Sequence, residues 1–365
     1  MRLFNSTCCV LATLGWCASS FGQTAATEVY SDYGGFWTSS ASSISATLPD
    51  NHHHLTAFTV GGTTYSTGVD DASLDNNAVT YTPGNFQSIT IDSISPVGAP
   101  ASFRIIQGGA IDGDAATGLN ITAPADGAAV AAYLTDGTNG LDLGTGLSNV
   151  PAGTYDMRVT PPDTVKIGDG VPDFLFTQAG VVPVIVDSIY LVDDQGDLVG
   201  TKVAIDWSAA ASVGQWSVDY ADMDGTTAGT SPYTRDLYIV TVEMQDMGLT
   251  ASNYADVWNI RVVYSGESDP TFMSFNADSF LGCESLALTG VSTTPASAAA
   301  STDGSLIPTI TGGINPYGLV INGDTLTSSA SWENIASGKY LVQAIDSEDC
   351  TTSPIMVNIP YSKCN

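Results

Sequence analysis

Positive charge is almost missing from this sequence. Nine Lys and Arg stand against thirty-eight Asp and Glu, for a formal net charge of −29. A field of that sign repels phosphodiester backbones and anionic lipid headgroups, so nucleic acid and membrane surfaces are not expected as partners. Glutamate is scarce too: Glu28, Glu243, Glu267, Glu284, Glu333 and Glu348 are the whole set, and every other acid is Asp. Asp favours turns through hydrogen bonds to nearby backbone, whereas Glu is a helix former. Most of the negative charge is therefore explained by turns before any function is invoked. Histidine occurs only at His52-His53-His54. Successive strand residues point to opposite faces, so the triplet does not converge on one metal, and it reads as a turn entering a strand. A catalytic triad would have to draw its base from that one spot, and no nucleophile-elbow motif accompanies it. No segment sustains a 3.6-residue period; the nearest, residues 252–260, amounts to one or two turns. Beyond the N-terminus no apolar run is long enough to span a bilayer. The glycine-rich stretches lack the helix and Lys of a phosphate-cradling loop.

What is present is a succession of short apolar or alternating runs bounded by Gly, Pro, Asn and Asp. His54-Leu55-Thr56-Ala57-Phe58-Thr59-Val60, then Gly61-Gly62, then Thr63-Thr64-Tyr65-Ser66-Thr67-Gly68-Val69 reads as a hairpin with a two-glycine turn. Asp193-Asp194-Gln195-Gly196-Asp197 reads as a second, acidic hairpin turn. Only 13% of residues are charged while glycine is abundant, the composition of an ordered secreted β protein rather than of a disordered acidic tail. The expected fold is all-β: tandem β-sandwich domains ending in an immunoglobulin-like sandwich. At 365 residues the chain accommodates two or three domains. The reading divides it into a signal segment at 1–22, a β-sandwich at 23–180, a second block at 181–282 and a terminal sandwich at 283–365. The 180 boundary is a soft one, and the first two blocks as one larger sandwich is the alternative.

Arg2, the apolar run at residues 8–18, and the small residues Ser20 and Gly22 fit a secretion signal with Gln23 as the mature N-terminus. The expected location is extracellular and cell-surface associated. Cys8, Cys9 and Cys17 leave with that segment, and Cys283, Cys350 and Cys364 remain. An odd number in an oxidising compartment means one pair and one left over. In an immunoglobulin-like sandwich the start of the first strand shares an end with the loop joining the last two strands. Cys283 precedes the first strand and Cys350 begins that loop, so Cys283–Cys350 is the expected disulfide, with Cys350–Cys364 as the alternative.

The last eighty-odd residues place Asp303-Gly304-Ser305, Gly312-Gly313, Pro316-Tyr317, Gly338-Lys339-Tyr340 and Asp349-Cys350 in one ordered frame. That frame resembles the SprB-type repeat of surface adhesins in gliding Bacteroidota. The repeat closes on Gly-Cys, and this sequence has Asp349 in place of the Gly. Upstream segments resemble stretches that recur before adhesive repeats in large secreted Bacteroidota proteins. They are Phe58-Thr59 with residues 62–68, then 81–86, 133–137, 141–146, 167–173, 213–216 and 235–237. The resemblance covers nearly the whole mature chain and implies adhesion or surface assembly, associated with gliding, with surface glycans or other surface proteins as partners. It implies no reaction. No sorting domain is recognisable after the repeat.

Three kinds of chemistry deserve placing. Asp219, Asp222 and Asp224 form one acidic loop cluster, Asp169 and Asp173 a second, Asp112 and Asp114 a third. Calcium takes about six to eight oxygens, which such loops can supply, although none has the spacing of an EF-hand; it is the one cofactor the sequence suggests and none is required. Sugar sites on β-sandwiches pair an exposed aromatic face with Asp, Asn or Gln. Tyr33 and Trp37 near the mature N-terminus, and Trp258 beside Asn259, are the aromatic candidates. An extracellular polysaccharide-acting enzyme is the rival class; it would need two carboxylates about 5–10 Å apart in a cleft. Glu243 with Asp246 is a pair of the right type. No catalytic residue is assigned, and the expected function is non-enzymatic, with a carbohydrate-binding module as the alternative. Asn120-Ile121-Thr122 is a glycosylation sequon by pattern alone.

Overall fold

A computed structural model of the chain describes residues 22–40, 53–107, 124, 126–183, 186–224, 233–281, 286–298, 301–313, 315–322, 324–326, 332–347, 350–352 and 354–362. Residues 1–21 of the signal segment, Asp112, Asp114, Asn120, Cys283 and Cys364 lie outside them. The fold is all-β, with antiparallel sheets throughout and β-sandwich packing. Two short α-helices, Asp71–Asn76 and Gly127–Ala131, have no counterpart in the sequence pattern because five or six residues cannot display a period. Each is announced by an aspartate instead. Asp70 accepts from the Ser73 N–H at 2.9 Å, and Asp126 accepts from the Ala128 and Ala129 N–H groups. Residues 252–260 contribute one 3₁₀ turn, Tyr254–Asp256.

The largest sheet runs Phe86–Ser88, Met273–Asn276, Phe174–Ala179, Tyr233–Val242, Gly214–Asp222, Arg104–Gln107, Gly146–Ser148. Thr24–Ala25 pairs with the second half of Tyr233–Val242, beyond the stretch that Gly214–Asp222 covers. A four-stranded sheet, in the order Leu198–Ile205, Asp187–Val192, Asn259–Tyr264, Gly153–Arg158, covers one face. A second, in the order Trp37–Thr38, Glu28–Ser31, Leu55–Val60, Thr63–Ser66, covers the other. The strand Phe174–Ala179 shows how: all six residues are buried. Phe174 and Phe176 join Val240 and Val242 in packing with Ile189, Leu191, Ile260 and Val262. Leu175, one residue out of phase, packs instead with Leu237, Ile239, Val29 and Phe58. Side chains alternate faces along a strand, so a continuous apolar run marks a strand buried on both.

This arrangement corrects the division at residue 180. Strands from before and after it alternate within the large sheet, and Gly153–Arg158 pairs with Asn259–Tyr264. Strands from both sides of residue 180, within residues 22–281, therefore share sheets. The three layers are a further departure from a simple two-sheet sandwich.

The terminal module has its own core of Leu306, Leu319, Ile321, Ile335, Val342, Val357 and Ile359 between a three-stranded and a four-stranded sheet. Its sequence frame is turn chemistry and close packing. Asp303 accepts from the Ser297 N–H at 2.8 Å. A Cβ at Gly304 would lie 2.9 Å from both the Ile335 oxygen and Ile359 Cγ2. The Tyr317 hydroxyl donates to the Gly312 carbonyl at 2.8 Å, and that of Tyr340 to the Ala336 carbonyl at 2.9 Å. Cys350 is buried against Leu286 and Ala344 and is disulfide-bonded, its partner lying outside the described residues.

Candidate functional site

Trp258 is the sequence candidate that reaches the surface. It ends the loop before Asn259–Tyr264, and its N–H donates to the Val192 carbonyl at 2.8 Å, fixing it beside the Asp193–Asp197 turn. That turn is held by Asp193, whose Oδ1 accepts from the Gln195 and Asp197 N–H groups at 3.0 and 2.8 Å, with Gly196 at φ 84°. The Arg158 guanidinium carbon lies 3.1 Å from the Trp258 ring centroid, and its Nη1 donates to the Trp258 carbonyl. A cation stacked on one indole face restrains the ring. The residue remains 42% exposed.

Beside it opens a cavity of about 490 Å³ lined by Trp258, Asp193, Asp194, Asp256, Asn253 and Leu198. Asn253 is oriented by its own loop: Oδ1 accepts from the Thr250 N–H at 2.7 Å and Nδ2 donates to the Gly248 carbonyl. The result is an exposed aromatic ring, an apolar step at Leu198 and carboxylates that accept hydrogen bonds. Such a surface suits a neutral, hydroxyl-rich ligand, whose C–H face packs on the indole while its O–H groups donate to the acids.

Tyr33 and Trp37 are not part of any such surface. Trp37 is buried, edge-on to Trp216 at 5.2 Å, and Tyr33 stacks on His53 at 5.5 Å. Both anchor the N-terminal sheet onto the large one. The histidines diverge as the alternation rule requires. His53 lies among these rings, while His54 Nδ1 meets Asp32 Oδ2 at 2.6 Å on the other side. His54 is held above its ordinary pKa by that hydrogen bond, against the effect of burial.

The acidic loops do not assemble into a metal site among the described residues, where no group of three or more His, Cys, Asp or Glu converges. Asp222 is engaged by Arg104 at 2.9 Å. Asp169 accepts from the Val171 N–H and lies 3.8 Å from Lys166. Asp173 is buried, accepts from the Met244 N–H at 2.6 Å, and is pushed up to about 7 by burial. Asp224 is exposed, and the Asp219 side chain lies outside the description. Glu243 and Asp246 close a turn through their backbones at 3.0 Å, and burial, then Asp246, raises the Glu243 carboxyl.

Buried carboxylates carry a structural role that sequence reading missed. Asp142 Oδ1 accepts from the Gly144 and Thr145 N–H groups, and burial together with neighbouring Asp136 pushes its carboxyl up. Asp187 accepts from the Ser265 N–H and the Ser268 hydroxyl. Asp269 Oδ1 accepts from the Asn149 N–H at 2.7 Å and the Ser148 hydroxyl at 3.0 Å. Nothing in local sequence separates these acids from the turn formers, since their donors lie up to 121 residues away.

The site thus sits on an all-β, sandwich-like scaffold. No family model and no curated protein matches the chain. Among solved structures, a β-1,2-glucanase from Parabacteroides distasonis is similar with a TM-score of 0.18 and 10% identity, over 76% of this chain and 40% of that one. The chain spans about two fifths of that structure's length, and a likeness so slight carries no argument about fold or activity.

Proposed function

We propose that this is a non-catalytic extracellular protein of adhesion or surface assembly, and that it recognises a neutral glycan at the Trp258 groove. The observation that carries the reading is the exposed Trp258 ring, held by Arg158 at the mouth of an acid-lined cavity. Trp258 is exposed, whereas Trp37, Trp207 and Trp216 are all buried. Rigid sheets and a terminal immunoglobulin-like module that turns on glycine, tyrosine and aspartate chemistry suit a durable external spacer. Leu286, three residues beyond Cys283, packs on Cys350, which supports the Cys283–Cys350 clamp. The resemblance to gliding-associated surface proteins favours the same location and role.

A glycan array with the purified protein, run with and without a chelator, tests this. Binding of neutral oligosaccharides that Trp258→Ala reduces at least about tenfold is expected, while its thermal midpoint stays close to that of the parent. Signal lost only with the chelator would make calcium part of recognition. Absence of glycan signal in both conditions would leave protein–protein assembly as the function.

A further inference from the structure

A second groove, unrelated to Trp258, gathers two of the chain's few cations. Arg104 and Arg235 line a cavity of about 430 Å³ together with Asn149, Tyr220, Glu267 and Asp269. The charge balance makes this unusual, because the sequence has nine basic residues in all. The other arginines described are engaged elsewhere, Arg158 on Trp258 and Arg261 with Asp156.

The groove is built rather than incidental. The Arg235 Nε donates to the Tyr220 hydroxyl at 2.8 Å, and its guanidinium carbon lies 5.0 Å from that ring centroid. Gly180, at φ 127°, lets backbone pass close to both charges: a Cβ there would fall 2.9 Å from Asp269 Oδ2 and 3.3 Å from Arg235 Cδ. Asp269 is itself pinned to Asn149 and Ser148 across the groove floor. Arg104 differs from Arg235. Its side chain is 37% exposed, and among the described residues its one side-chain hydrogen bond runs from Nε to Asp222. No hydrogen bond from its Nη1 or Nη2 is found among the described residues, and the residue lines the groove. One wall is apolar and open, with Val181 81% exposed beside Val182 and Pro183.

We propose that this groove binds a carboxylate-bearing saccharide unit, a uronate, with its carboxylate on the Arg104 fork. With Nε given to Asp222, the Nη1–Nη2 edge of the planar fork can match a carboxylate bidentately. The apolar wall offers a surface for the C–H face of a sugar ring, and Glu267 and Asp269 accept from its hydroxyls. A neutral glycan needs no arginine and meets the acid-lined Trp258 groove instead.

Calorimetry on the full chain at low ionic strength would test the assignment, using oligogalacturonate, a neutral oligosaccharide of equal length and inorganic sulfate. Oligogalacturonate should bind, with affinity falling as salt rises, and Arg104→Gln should weaken it about ten- to a hundredfold. Trp258→Ala should leave that binding intact, which separates this site from the one proposed above. Arg104→Lys should restore little, because an ammonium lacks the fork. The proposal fails if oligogalacturonate does not bind, if Arg104→Gln binds it as well as the parent, or if sulfate or the neutral oligosaccharide competes equally.

Discussion

Single aspartates do two opposite jobs in this chain. Exposed or half-buried ones, such as Asp193, Asp206 and Asp303, close turns by accepting nearby backbone N–H groups. Buried ones, such as Asp142, Asp173 and Asp269, tie together segments far apart in sequence or hold a tight loop, and burial raises their carboxyls. The consequence for stability has a definite sign. Asp173 and Asp269, at about 7 and about 6, lie above the ordinary Asp value of 3.8, so the folded chain holds protons that the unfolded chain has released. That contribution is complete below the unfolded value and is lost as pH rises through about 6 to 7. His54, also raised, acts in the same sense. The thermal midpoint should therefore climb as pH is lowered from 8 to 5, read by calorimetry, and Asp173→Asn should flatten part of the slope. A midpoint that falls over that range would contradict this account of the buried acids.

At the scale of the element, the strand Phe174–Ala179 decides the architecture. A strand in a two-sheet sandwich has one face to the core, so truncation on its other face costs little. Here Phe174 and Leu175 lie in different cores, and both are fully buried. Phe174→Ala and Leu175→Ala should each destabilise by about 2–5 kcal/mol, measured by urea unfolding. A cost below about 0.5 kcal/mol for either would return the fold to two layers. The hairpin at Gly61-Gly62 is the opposite case, where local sequence was enough. Both glycines take positive φ, at 58° and 84°, as the tight turn between Leu55–Val60 and Thr63–Ser66 requires.

At the scale of the molecule, residues 22–281 interleave and the terminal module stands on its own core. Expressed alone, residues 23–180 should not fold, since their strands Phe174–Ala179 and Gly153–Arg158 lack the partners Tyr233–Val242 and Asn259–Tyr264. Residues 23–281 should give a cooperative transition. Circular dichroism and proteolysis of the two fragments distinguish the cases, and a stable, protease-resistant 23–180 fragment would restore the boundary at 180.

Sequence by itself determined what depends on neighbours along the chain: the all-β class, the glycine hairpin, the acidic turn at Asp193–Asp197, the divergence of His53 from His54, and the turn frame of the terminal module. Each follows from the φ a residue allows, the alternation of a strand or a hydrogen bond spanning a few residues. It picked Trp258, Tyr33 and Trp37 together because an aromatic near Gly and Asn reads the same whether it ends in a core or on a surface. Only tertiary structure separated them, by placing Trp216 beside Trp37 and Arg158 on Trp258. The Arg104–Arg235 groove was out of reach for the same reason. Its residues come from segments spread between 102 and 269, and what joins them is strand pairing across the large sheet, a long-range choice set by which apolar faces can be buried together.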